Sequence, residues 1–174
     1  TLTDGLALPE RFIGITGSSI LKKDRESVER VARLLRLLAR YYPHMPIWFL
    51  ANAKTDIHIA HALQDEFGFH VFASPEPHDR AMAVVARAHL VIGGRQHPNI
   101  FAAIQGVPFV PLAANTHKMQ GVVDLLKYPL APLSWDCREQ ELFAALDRIE
   151  SLRERLPEIV EVPRLSHIDL GPAH

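Results

Sequence analysis

A single cysteine, Cys137, stands in 174 residues, so no internal disulfide can form and the fold must be held by burial alone. That composition fits a reducing compartment, and a cytoplasmic location is expected. No apolar stretch approaches the ~20 residues of a membrane span. Thr1-Leu2-Thr3-Asp4-Gly5 lacks a charged region followed by an apolar run, so no signal peptide is expected. A chain that opens on Thr rather than Met is read as part of a longer protein. Neither sign of charge is in excess: 19 Lys and Arg against 20 Asp and Glu give a net charge of −1. A nucleic-acid backbone would need a broad basic face, so no nucleic-acid partner is expected, and any anion must be held locally.

Other absences exclude chemistry. There is no cysteine cluster and no H-E-x-x-H, so His58 and His61, three residues apart, are read as a solvated helix face and no metal is expected. Without a G-x-S-x-G elbow, Ser18, Ser19 and Ser74 are poor nucleophiles. Gly17-Ser18-Ser19 with Lys22 and Lys23 resembles a phosphate-cradling loop only loosely, since neither G-x-G-x-x-G nor G-x-x-x-x-G-K-[ST] occurs. No internal repeat is visible.

What is present is alternation. Phe12 to Thr16 is a short apolar run. Asp24 then caps a stripe of Val28, Val31, Ala32, Leu35, Leu38, Ala39 and Tyr42, which lies on one helical face. Pro43 and Pro46 end that helix. Ile47 to Ala51 is apolar on consecutive residues, as in a strand covered on both faces. Thr55 is expected to cap a helix carrying Ile59, Ala60, Leu63 and Phe67. A strand follows at 70–73, with Asp79 capping a helix over 80–88. Strands are expected over 89–92 and 107–112, helices over 96–105 and 117–126, and a weak strand near 130–133. Asp136 and Glu139 suggest a capping box for a last helix with Leu142, Ala145, Leu146, Ile149, Leu152 and Leu156, stopped by Pro157.

Strict alternation implies an α/β fold, a Rossmann-like doubly wound parallel sheet with helices on both faces. The domain is expected to span 1–156, with 157–174 a tail that is disordered or packs on a missing neighbour. Ligands of such sheets bind at the carboxyl ends of the strands. That rule selects five loops: 17–23, 52–54, 74–78, 93–97 and 113–118. In the richest, Gly93-Gly94 permits a tight turn, while Arg95 and His97 stand where a helix begins, a position that favours anions. Arg offers a planar fork for carboxylate or phosphate, and His exchanges protons near neutral pH. The competing reading makes Arg95 a surface residue and His97 a helix-start donor. Asn115, Thr116, His117 and Lys118 add another base and cation, or simply form a polar turn.

The stretch HLVIGGRQHPNIFAAIQGVPFVPLAANTHKMQGVVDLL, His89 to Leu126, resembles the carboxyl-terminal half of polysaccharide pyruvyl transferases. Its parts run in order: an apolar strand into Arg95-x-His97, a small-residue helix into Gly106-Val107-Pro108-Phe109, and a strand ending in Asn115-Thr116-His117-Lys118. Ile15-Thr16-Gly17-Ser18 extends the likeness to about residues 10–155. Gln96 and Pro98 depart from the residues usual beside that histidine.

The resemblance implies one lobe of a two-lobed GT-B-type architecture. It also implies transfer of a pyruvyl group from phosphoenolpyruvate to a sugar of a surface polysaccharide or its precursor, forming a ketal, with no cofactor. Arg95 and His97 take catalytic roles in this reading, and Gly17, Ser18, Gly93, Gly94, Arg95, His97, Asn115, His117 and Lys118 bind substrate. Expected partners are phosphoenolpyruvate, a saccharide acceptor and a missing amino-terminal lobe or a second copy of the chain. A lipid-linked acceptor would draw the protein to the membrane periphery. The alternatives are a nucleotide-sugar-binding lobe of a GT-B glycosyltransferase, against which stands the lack of Asp or Glu over 96–105, and a non-catalytic interaction domain.

Overall fold

The computed structural model describes residues 3–73, 78–115 and 117–162. Five short strands are built from consecutive apolar residues: β1 (Ile13–Ile15), β2 (Ile47–Ala51), β3 (His70–Ala73), β4 (Leu90–Gly93) and β5 (Phe109–Pro111). All pair in parallel in the order β3-β2-β1-β4-β5. Every residue of β1, β4 and β5 is buried, because parallel neighbours require crossovers that lay helices over both faces. β5 carries Pro111 and lies at the edge of the sheet, where a missing N–H is tolerated. The segment expected as a weak strand near 130–133 contributes a single parallel bridge, Leu112 to Leu133.

The helices are α1 (Arg25–Tyr41), α2 (Lys54–Phe67), α3 (His78–Val85), α4 (Gln96–Ile104), α5 (Lys118–Leu126), α6 (Glu139–Leu152) and α7 (Leu156–Ile159). Asp24 caps α1 by accepting from the Ser27 N–H at 2.8 Å. The apolar stripe of α1 buries Val31, Leu35 and Leu38 in the core. Gly68 ends α2 in the left-handed conformation, φ 66°, and returns its N–H to the Gln64 carbonyl at 2.7 Å.

Three expected caps differ. α2 begins at Lys54, one residue before Thr55, and its N-cap Ala53 offers no side chain. Asp79 lies inside the first turn of α3 and accepts from the Arg80 N–H. Asp136 pairs with Arg30 at 3.2 Å; at the start of α6 the reciprocal partner is Glu141, which accepts from both the N–H and Nε of Arg138.

Pro157 does not stop the chain. α6 ends at Leu152, a 3-10 turn follows over Arg153–Arg155, and Pro157 sits in the first turn of α7, where its absent N–H would have no helical partner. Beyond it, Glu161 donates its N–H to Leu126 and accepts an ion pair from Lys127 at 2.7 Å. Within the expected tail Glu161 is therefore tied to the carboxyl-terminal end of α5, and 163–174 lie outside the described residues.

Candidate functional site

Successive crossovers run outward from β1 to β2 and β3, then return to β4 and β5, so the order of strands switches between β1 and β4. The loops leaving the carboxyl ends of those two strands form the mouth of the crevice where such sheets bind ligands. Buried polar groups gather there. Of the seven polar or charged residues buried among those described, six are Thr16, Ser18, Asp56, Arg95, His97 and Asn99.

Arg95 is not on the surface. Its side chain is 5% exposed and grips Asp56 in a bidentate pair, Nη2 to Oδ1 at 2.7 Å and Nε to Oδ2 at 3.1 Å. Asp56 is fully buried and lies in the first turn of α2, where the positive end of the helix favours a carboxylate. Its Oδ2 also accepts from the Asn52 N–H at 3.0 Å. Sequence reading missed this residue, although a signal existed: Asp56, Ile59, Ala60 and Leu63 share one helical stripe, and a carboxylate on an apolar face requires a buried partner.

Small residues at the crevice make room for these groups. A β-carbon on Gly93 would stand 1.8 Å from Thr16 Oγ1, and one on Gly94 would stand 2.6 Å from Ser18 Oγ. Backbone contact is direct, with Gly94 N–H donating to the Gly17 carbonyl at 2.8 Å. Ser18 Oγ in turn donates to the Ala113 carbonyl at 2.7 Å, an acceptor shared with Trp135 Nε1 at 3.0 Å. Asn115 joins the same assembly, its N–H bonding Ser19 Oγ and its Nδ2 the Ser19 carbonyl. The loops after β1, β4 and β5 are thus stitched together.

His97, one residue into α4, is 6% exposed and its ring stacks on Phe101, centroids 6.1 Å apart. Asn99 donates to the Gly93 carbonyl at 3.1 Å, tying the first turn of α4 to the strand before it. His117 and Lys118 are exposed where α5 begins; Thr116 lies outside the described residues, as do 74–77 of the loop after β3. Neither α4 nor α5 has an acidic residue in its first turn or a side-chain cap at its start. Beside α4, Asn52, Phe72, Pro98 and Phe101 line a shallow recess with room for little more than a water molecule. His58 and His61 are exposed on α2, and among the described residues no three His, Cys, Asp or Glu side chains gather as metal ligands.

The sequence profile described as polysaccharide pyruvyl transferase matches residues 13–116, from β1 to the loop after β5. The chain belongs to the polysaccharide pyruvyl transferase family. No curated protein matches the chain.

Among solved structures, the chain is similar to a UDP-GlcNAc 2-epimerase from Neisseria meningitidis bound to UDP-GlcNAc, with TM-score 0.63 at 13% identity. The match covers 93% of this chain and 43% of the epimerase. MurG of Acinetobacter baumannii matches with TM-score 0.49 at 14% identity, over 88% of this chain and 45% of that one. The chain spans less than half the length of either structure. The fold is the Rossmann-like α/β lobe of a GT-B-type architecture. Among the described residues no helix is long and apolar enough to cross a membrane.

Proposed function

We propose that the switch-point loops hold phosphoenolpyruvate and that the protein transfers its pyruvyl group to a saccharide of a surface polysaccharide or its precursor. The observation that carries this reading is Arg95-x-His97 at the start of α4, beside the β1 and β4 switch and inside the family match. The starts of α4 and α5 carry no carboxylate in their first turns, so the positive ends of both helices favour a phosphate and a carboxylate, the two anionic groups of this donor. No metal or cofactor is needed for that binding.

The chemistry balances with proton transfer alone. One sugar hydroxyl adds to the carbon bearing the phosphate while a proton is delivered to the methylene carbon. A second hydroxyl then displaces phosphate, giving the ketal and releasing its own proton. His97 suits the delivery, and His117 is assigned to removal of a hydroxyl proton. Lys118 adds a cation at the neighbouring helix start. Arg95 contributes through the part of its guanidinium that Asp56 does not occupy: among the described residues Nη1 makes no hydrogen bond. Acceptor contacts are assigned to a second lobe or a second copy of the chain. A lipid-linked acceptor would hold the protein at the membrane periphery, with the reaction in the cytoplasm.

A nucleotide-sugar ligand is the competing reading, since the solved epimerase binds UDP-GlcNAc. α4 holds neither Asp nor Glu to meet a donor ribose, which favours phosphoenolpyruvate. Incubating the full-length protein with phosphoenolpyruvate and capsular or lipid-linked oligosaccharides should release phosphate in step with an acceptor mass gain of one pyruvyl ketal. Phosphate release without acceptor modification, or neither, rejects the transfer.

A further inference from the structure

We infer that Asp56 is a positioning residue for Arg95, fixing its guanidinium so that the edge formed by Nη1 and the second Nη2 hydrogen is offered to the anionic donor. The inference rests on the phosphoenolpyruvate reading proposed above and assigns a role to a residue outside the Arg-x-His segment.

The geometry leaves Asp56 little freedom. Its Oδ1 accepts from Nη2, its Oδ2 accepts from both Nε and the Asn52 N–H, and Gly17 closes over the carboxylate so tightly that a β-carbon there would reach 2.0 Å from Oδ1. The carboxylate is therefore locked by the loop after β1, the loop after β4 and the loop before α2. Two parallel bonds to a planar group set both the position and the plane of the guanidinium, which a single bond would not do. At its other end Arg95 is the N-cap of α4, and its own N–H lies 3.4 Å from Thr16 Oγ1. Strand and helix ends on both sides of the switch are thus referred to one ion pair.

Burial also explains why orientation rather than attraction is the gain. An isolated buried guanidinium would attract any anion, but paired with Asp56 it carries no net charge, so an incoming ligand gains mainly from a directed donor. A buried pair of this kind is weak evidence for added stability, since apolar replacements often do as well. A fixed bidentate geometry suits a directional task instead. Removing the negative charge while keeping the shape should therefore leave anion affinity intact or raised, yet spoil alignment of the donor for proton delivery and hydroxyl attack.

In the full-length protein, Asp56→Asn should lower kcat for phosphoenolpyruvate at least about tenfold with KM unchanged or lower, because a misaligned ligand still binds but reacts poorly. Asp56→Asn added to Arg95→Lys should cost no further kcat, since Asp56 acts through Arg95. The measurement that avoids folding altogether is nitrogen NMR of the wild-type arginine side chains, with Arg95 assigned by loss of its signals in Arg95→Lys. Saturating phosphoenolpyruvate should move the Nη1 signal and leave Nε, held by Asp56, in place.

A raised KM with unchanged kcat, additive losses in the double variant, or a shifted Nε signal would each overturn the inference. A wild-type protein that neither binds nor turns over phosphoenolpyruvate would instead overturn the proposed function. The two failures are therefore distinct.

Discussion

Gly17 packs on Asp56 with no room for a side chain, a β-carbon at that position standing 2.0 Å from Oδ1 and 2.7 Å from Cγ. A glycine two residues beyond the first strand thus sets where the buried carboxylate lies, and the carboxylate sets where Arg95 lies. Gly17→Ala must push Asp56 aside and strain its bidentate pair. We expect a loss of stability of about 2 to 4 kcal/mol, from overpacking together with a weakened buried ion pair. Urea unfolding should show a lower midpoint at unchanged slope.

Tyr128 lies face to face on Phe109, ring centroids 3.8 Å apart, and its hydroxyl bonds both backbone groups of that residue. Oη accepts from the Phe109 N–H at 2.7 Å and donates to the Phe109 carbonyl at 2.6 Å. Tyr128→Phe keeps the stack and strands two buried backbone groups on an edge strand. A cost of about 2 to 6 kcal/mol is expected, at about 1–3 kcal/mol for each of the two groups left unpaired. Thermal melting checks it, and a change below about 0.5 kcal/mol would contradict the assignment.

His89 gives stability a pH dependence. It lies at the amino-terminal end of β4, with Nε2 2.7 Å from Arg153 Nη2 and 3.2 Å from Glu150 Oε2. Burial first, and then Arg153, hold its imidazole below the ordinary value, while Glu150 pulls the other way; Arg11 adds a smaller repulsion. A depressed histidine binds fewer protons folded than unfolded, so its contribution is complete above the unfolded value of about 6.5 and declines as pH falls below it. Urea midpoints should drop between pH 7.5 and 5.5, and His89→Gln should flatten that drop. Asp24 and Glu141, both held below the ordinary carboxylate range by hydrogen bonds, act in a separate and more acidic window.

Much of this was legible in the sequence, and what was missed has physical causes. The bounds of β2 and β3 follow from apolar runs closed by polar or glycine residues, and Asp24 announces α1 because a β-region Asp before a periodic stripe has one good use. The loops at the switch were also found, since the alternation of strands and helices fixes which ends carry them. The burial of Arg95 was not, because its partner is 39 residues away and no local pattern links them. Cap positions slipped by one or two residues where several polar candidates adjoin, as at Thr55 and Asp136. Pro157 misled because a proline can open a helical turn as readily as it ends one.

His97→Ala separates binding from chemistry. The ring is buried on Phe101 at the start of α4, so its loss should weaken phosphoenolpyruvate binding only severalfold while transfer falls by 10²-fold or more, the usual scale for a general acid or base. Single-turnover rates and equilibrium binding, measured on the same preparation, check this. Unchanged turnover would remove His97 from the chemistry.

The central claim is that the crevice between β1 and β4 takes phosphoenolpyruvate, and calorimetric titration of the full-length protein tests it most directly. The account predicts saturable binding of phosphoenolpyruvate that Arg95→Ala abolishes, with UDP-sugars giving little or no heat. Tight binding of a UDP-sugar and none of phosphoenolpyruvate would contradict it.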